Sequence, residues 1–241
     1  MTAQFMLRFI ISIFLLSGSV AFAQEEEETA PVEPEIADTL NQKEQYGLRV
    51  GIDISKPLRS FLEEDYTGFE IIGDYRIYED YYLAAEIGNE TALVSVTNVT
   101  ANYKGSYFKV GANYNAYNNW EGMQNSIYVG LRYGFSTFSS ELKEYTIYTT
   151  NDYFEPDIRT ISQEFKNLTA SWIEVQLGIK VEVLHNIYLG AHVELKRRIS
   201  QTQPLNFDNL YIPGFHRTYD GSTWGVGFGY SISYLIPLYK M

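Results

Sequence analysis

SWIEVQLGIKVEVLHNIYLGAHVELK, residues 171–196, decides the fold. Two successive runs alternate strictly. One set of positions is apolar throughout; the other holds Glu174, Gln176, Lys180, Glu182, His192, Glu194 and Lys196. Successive side chains leave a strand on opposite faces, so a period of two reads as strand. Leu184, His185 and Asn186 between the runs fit a tight hairpin turn. Alternation alone does not say which face meets water: a soluble sheet turns its charges outward, and a membrane barrel turns them inward.

The rest of the chain extends the pattern. From Tyr46 onward, segments punctuated by Gly, Asn and Asp predict eight strands, at 45–54, 67–78, 81–89, 104–117, 125–137, 169–183, 186–199 and 222–236. Residues 92–103 (ALVSVTNVTANY) either add strand, giving ten, or extend the fourth strand backward. An amphipathic helix is expected only around Leu58–Asp65. The expected links alternate in length: 79–80, 118–124 and 184–185 are short, whereas 55–66, 90–103, 138–168 and 200–221 are long. Outer-membrane barrels join their strands in that way, with short periplasmic turns and longer outer loops.

The two faces differ sharply. The apolar set includes Val50, Ile71, Leu83, Val110, Leu131, Val175, Leu189 and Phe228, and no charge interrupts it. The opposite set holds Arg49, Asp53, Glu70, Asp74, Arg76, Glu86, Lys109, Arg132, Glu174, Lys180, Glu182, His192, Glu194 and Lys196, with glycines between them. Its six bases nearly balance its seven acids, as a narrow lumen requires, because an unpaired buried charge is very costly. Glycine on that face makes room for long side chains, since an eight-stranded barrel is only just wide enough for its contents. Trp224 and Tyr234 share the apolar face ten residues apart. At ~3.3 Å per residue and a tilt of ~40°, they are separated by ~25 Å along the barrel axis, the height of an apolar membrane band. With Tyr75, Tyr78 and Tyr81 beside the 79–80 turn, they predict aromatic girdles. The chain is therefore expected to be all-β: a single-chain, transmembrane, antiparallel barrel of eight strands (ten if 92–103 contributes), rather than a soluble lipocalin-like barrel.

The N-terminus agrees with export. Residues 1–23 carry Arg8, an apolar run Phe9–Leu16 and Ala21-Phe22-Ala23 ahead of Gln24, the pattern of a cleaved signal peptide. Residues 24–44 are rich in Glu, with little apolar content, and are expected to form a disordered, acidic, periplasmic tail. The barrel is expected to occupy 45–241. The chain has no cysteine, which excludes disulfides, thiolate metal sites and a lipoprotein anchor. Eighteen basic against thirty acidic residues give a net charge of −12, which argues against nucleic-acid binding.

YGLRVGIDISKPLRSFLEEDYTGFEIIGDYRIYEDYYLAAEIG (46–88), GSYFKVGANYNAYNNWEGMQNSIYVGLRYGFSTFS (105–139) and DGSTWGVGFGYSISYLIPLYK (220–240) resemble an uncharacterised outer-membrane barrel family of the Bacteroidota, a domain of unknown function. The resemblance implies a small, porin-like barrel in the outer membrane and no particular activity. Barrels of that membrane often end in an aromatic residue, whereas this chain ends Tyr239-Lys240-Met241.

Chemistry is weakly signalled. Lipid A-modifying barrels need a nucleophile with a base in hydrogen-bond reach. Of His185, His192 and His216, only His192 falls on a strand, beside Glu194 and expected opposite Glu174, and no serine lies two residues away from it. Ser231 and Ser233 share the lumen face of the last strand. Neither a metal nor another cofactor is expected; the acids Glu141, Glu144, Asp152, Glu155 and Asp157 match no calcium-loop spacing. Gly225, Gly227 and Gly229 lie within a strand and open no helix, so they do not form a phosphate loop. The expectation is a non-enzymatic, monomeric barrel in outer-membrane lipid. Its charges plug the lumen, and its long loops bind a surface ligand or partner protein. The alternatives are a narrow porin-like channel for small solutes and a lipid A-modifying enzyme.

Overall fold

The alternating segments close on one another as a ring. The computed structural model describes residues 45–96, 98–117, 125–147, 153, 155, 157–205, 208–219 and 221–240. The signal peptide and acidic tail expected at 1–44 lie outside them, as does Asp152. The elements, in chain order, are β1 (Gln45–Asp53), α1 (Ser55–Leu62), β2 (Tyr66–Tyr78), β3 (Tyr81–Val96), β4 (Val99–Asn115) and β5 (Ser126–Ile147). They continue with β6 (Asp157–Leu184), β7 (Ile187–Gln201), β8 (Tyr211–Ile212), β9 (His216–Arg217) and β10 (Trp224–Lys240). The closed barrel runs β1-β10-β7-β6-β5-β4-β3-β2, and β8 and β9 form a separate two-stranded sheet. Neighbours in the ring are antiparallel. Gln45 pairs with Lys240, so β1 starts where β10 ends, at the rim that also carries the 79–80 turn. We call this the lower rim.

The eight-strand count holds, and residues 92–103 add no strand of their own: they lengthen β3 and β4 into a tight hairpin. Two expected loops are therefore largely sheet. Residues 90–103 are strand apart from the turn, and much of 138–168 belongs to β5 and β6, which stay paired out to Ile147 and Asp157. The helix spans Ser55–Leu62 instead of Leu58–Asp65.

One physical change explains why these extensions look unlike the rest of the wall. In the lower part, outward positions are apolar and exposed (Leu83, Ile87, Phe108, Val110, Leu131, Tyr133, Ile173, Val175), and inward positions are charged and buried (Glu86, Lys109, Arg132, Glu174). Above Asn89, Ser106, Thr137 and Thr169 the faces exchange character. There Ala92, Ala101, Tyr103, Phe138, Leu142 and Leu168 point inward and, with Ala170 just below that level, belong to a buried hydrophobic core, while Thr91, Lys104 and Ser139 occupy outward positions. The chain is inside-out below that level and ordinary above it.

Candidate functional site

The lumen is organised in three tiers. Lowest, Arg49 Nε meets Asp74 Oδ1 at 2.7 Å, and Lys180 pairs with the other oxygen of Asp74. The Arg49 guanidinium stands 4.8 Å from the Tyr82 ring and 5.3 Å from Tyr188, and Lys180 stands 5.1 Å from Tyr128. Such cation–π contacts favour charge held away from water. Arg76 and Glu182 lie nearer the rim and are only half-buried. Arg76 stacks 5.0 Å from Tyr46, and Glu182 accepts the Asn186 N–H at 2.8 Å.

In the middle tier one ammonium serves four carboxylates. Lys109 Nζ lies 2.7 Å from Glu86, 3.3 Å from Glu194, and 3.6 Å from both Glu70 and Glu174. Glu86, Glu174 and Glu194 bring oxygens close enough together to resemble a metal cluster, but the lysine already supplies the cation between them. Arg132 reaches Glu86 at 3.3 Å and Asn113 at 2.7 Å. Gln176 donates to Glu174, Glu86 and Glu194 at 2.9, 3.2 and 3.2 Å. His192 Nε2 sits 3.3 Å from Glu194. Its cross-strand neighbours are Gly178 and Gly229, whereas the expected opposite residue, Glu174, faces Lys196. The turn at 185–186 pairs Leu184 with Ile187, and counting back along both strands from it sets His192 against Gly178, four residues from Glu174.

The upper tier closes the mouth, and its centre is Glu90. This fully buried carboxylate pairs with Lys56 of α1 at 2.6 Å and accepts from Tyr66 at 3.0 Å. Its other oxygen accepts the Tyr211 hydroxyl at 2.7 Å and the Gly214 N–H at 3.0 Å. Lys196 donates to the Gly214 carbonyl at 2.7 Å. The β8–β9 hairpin is thus drawn into the mouth, where Phe215 meets Trp172 edge-on at 6.0 Å. Gly214 has φ +81, and a Cβ there would lie 2.5 Å from the Tyr107 ring, so both its backbone conformation and its packing call for glycine. His216 also sits at positive φ, +79, a conformation that costs about 1–3 kcal/mol and persists where its surroundings enforce it.

A model described as a domain of unknown function, DUF6048, matches residues 6–241. This chain belongs to that family. No curated protein matches it. Among solved structures it is similar to the crystal structure of Ail, the attachment invasion locus protein of Yersinia pestis, at 10% sequence identity and a TM-score of 0.38, over 80% of this chain and 98% of that one. At that overlap the likeness carries no functional argument.

In this DUF6048 chain the fourteen charged residues named from sequence all come from the barrel wall and line its interior or lower rim. Asp53, at the end of β1, accepts from the Ser55 backbone and hydroxyl, at 2.7 and 2.6 Å, and so ties the wall to α1. The aromatics Tyr78, Tyr81, Trp224 and Tyr234 are exposed on the outside, and Tyr75 is half-buried. Glu141 accepts from Ser162 and Asp157 pairs with Arg159, each occupied along the β5–β6 ribbon. Sequence reasoning missed Lys56, Glu90 and His216 because all three fell in expected loops. Glu90 was findable: Glu86, Gly88 and Glu90 continue the inward series without a break.

His216 is expected to make the seal sensitive to acid. Lys56 donates to its Nε2 at 2.7 Å, which requires a neutral ring. Burial, then Lys196 and Lys56, push its pKa down to about 3, against the pull of Glu90; Tyr211 stacks on the remaining face at 6.2 Å. Released from the mouth, the ring returns to about 6.5. A depressed histidine pKa gives stability that is complete above the free value and lost as pH falls toward the docked one. Hydrogen exchange at 209–216 is therefore expected to be slow at pH 7.5 and to quicken between pH 6 and pH 4 relative to the barrel strands. Unchanged relative protection would contradict this.

Proposed function

We propose that this chain is an exported outer-membrane β-barrel with a closed lumen and no catalytic role. Its activity lies in the sheet and loops above the upper rim, which engage a surface ligand or partner protein. The observation that carries the reading is the exchange of faces at the level of Asn89 and Thr169. An apolar exterior around a charged interior suits lipid, whereas a polar exterior around an apolar core suits water. The change from one to the other on four adjacent strands, β3 to β6, gives the wall a lipid-facing zone and an aqueous zone. Trp224 and Tyr234 on the outward face fit interfacial girdles. With the lower rim toward the periplasm, β3 to β6 continue outward as a four-stranded sheet, the natural place for recognition.

Packing supports closure over conduction: salt bridges fill the lower and middle tiers, and the hairpin and hydrophobic core fill the upper one. The non-catalytic reading is supported by the histidines. Among the described residues, His192 is engaged with Glu194 and His216 with Lys56, and neither is hydrogen-bonded to a serine hydroxyl that could act as nucleophile. The test is conductance of the refolded chain in a planar bilayer, with a heat-modifiable gel shift to establish folding. A folded, electrically silent barrel is expected. Stable unitary currents that change on replacing Arg132 or Glu174 would overturn the closed-lumen reading in favour of a pore.

A further inference from the structure

The barrel wall is incomplete at its upper end. β1 stops at Asp53, where its last partners are Ile71 on β2, opposite Ile52, and Ser231 on β10. Both flanking strands continue past it, β2 back to Tyr66 and β10 back to Trp224. Between them lies a gap one strand wide, and the chain enters it as α1. Ile54 N–H bonds to the Tyr230 carbonyl at 2.7 Å, and Ser60 Oγ accepts the Gly68 N–H at 2.8 Å, so the helix satisfies backbone groups on both edges.

The two faces of α1 are opposed. At 100° per residue, Lys56, Arg59 and Ser60 share one side, and Leu58, Phe61 and Leu62 point the other way. The first side faces the protein: Lys56 is buried against Glu90, Arg59 stacks 3.9 Å from the Tyr66 ring, and Ser60 bonds Gly68. The second side faces out, with Leu58 55%, Phe61 87% and Leu62 72% exposed. The helix bonds to both edges beside exposed outward positions, next to Phe69 on β2 and at Tyr230 on β10, with Phe228 two residues on along the same face, so apolar positions flank it on either side. Exposed acids Glu63, Glu64 and Asp65 follow the helix and mark a return to water.

We propose that α1 completes the wall toward lipid, with Leu58, Phe61 and Leu62 buried among the acyl chains of the outer leaflet. The occupant is a lipid surface because the patch continues the band that faces acyl chains elsewhere, and because edge backbone groups can be left beside lipid only if something caps them. The inference rests on the membrane-barrel reading above. It also links that membrane to the seal, since the helix that would float in the leaflet is the one that delivers Lys56 to Glu90.

The chain has no cysteine, so single labels are clean. Phe61→Cys and, as a mid-wall reference, Leu131→Cys would each carry an environment-sensitive NBD fluorophore on the full chain refolded into phosphatidylcholine vesicles, with Leu62→Cys in reserve should Phe61→Cys fail the gel-shift test for folding. Blue-shifted emission is expected at both sites. Doxyl groups near the headgroup should quench position 61 most strongly, and doxyl groups near the chain ends position 131. Water-like, unquenched emission at 61 with quenching at 131 overturns the proposal and leaves the barrel in the membrane. Blue-shifted but unquenched emission at 61 also overturns it, in favour of cover by protein, such as a second copy. Absence of quenching at both positions overturns the membrane reading itself.

Discussion

Glu90→Gln is expected to destabilise the fold by about 3–5 kcal/mol, the usual cost of removing one partner from a buried ion pair. The substitution keeps size and some hydrogen bonding but removes the negative charge. It leaves Lys56 buried without its counter-ion, and it weakens acceptance from Tyr66, Tyr211 and Gly214 together. Because those donors come from α1, β2, β8 and the β8–β9 turn, the loss should concentrate at the mouth. Urea unfolding should report the drop in stability, and limited proteolysis should cut within 205–218 while the lower strands stay resistant. Pairing the change with Lys56→Met should recover part of the loss, since residues in one network are coupled. A variant as stable and as protease-resistant as the parent would remove Glu90 from its place as the anchor.

Lys109→Met is expected to do comparable or greater damage, again of order 3–5 kcal/mol, because it withdraws the ammonium from four carboxylates at once. Arg132, Lys196 and Gln176 remain, but they reach Glu86, Glu174 and Glu194 and none is paired with Glu70. The repulsion left behind is between acids, so protonation should relieve it. The variant's folding yield, read from the heat-modifiable gel shift, should collapse near pH 8 and recover in mild acid. The parent should not show this recovery. Equal yields of the two proteins across that range would contradict the account of the middle tier.

Much of this was legible in the sequence because a wall with an apolar outer face and a charged inner face has the strongest alternation a chain can carry. Residues 173–181 and 189–196 set the period and separate the two faces. The signal faded where the two faces exchange character. Above Thr169 and Ser106 the outward positions become Thr, Asn, Ser and Lys, and the inward ones Ala, Tyr, Phe and Leu, so the contrast first shrinks and then reverses. A reader following one apolar face loses the strand there and writes a loop, which is what befell 90–103 and 138–168. The seal was hidden for a different reason. Lys56, Glu90, Tyr211 and His216 are far apart in the chain and meet only when the ring closes and the β8–β9 hairpin folds inward; no local spacing records that. Gly214 could have hinted at a tight turn after Pro213, though not at what it approaches.

The measurement closest to the central claim is a nitroxide scan of β6 from Thr169 to Val181, one cysteine at a time, in lipid vesicles, comparing collision with oxygen and with a water-soluble nickel chelate. Oxygen accessibility is expected to oscillate with a period of two, high at 173, 175, 177, 179 and 181 and low at the even positions between them. Nickel accessibility should rise only toward Thr169. An oscillation in the opposite sense, with nickel reaching Glu174, Gln176 and Lys180, would make this a water-soluble barrel or an open pore.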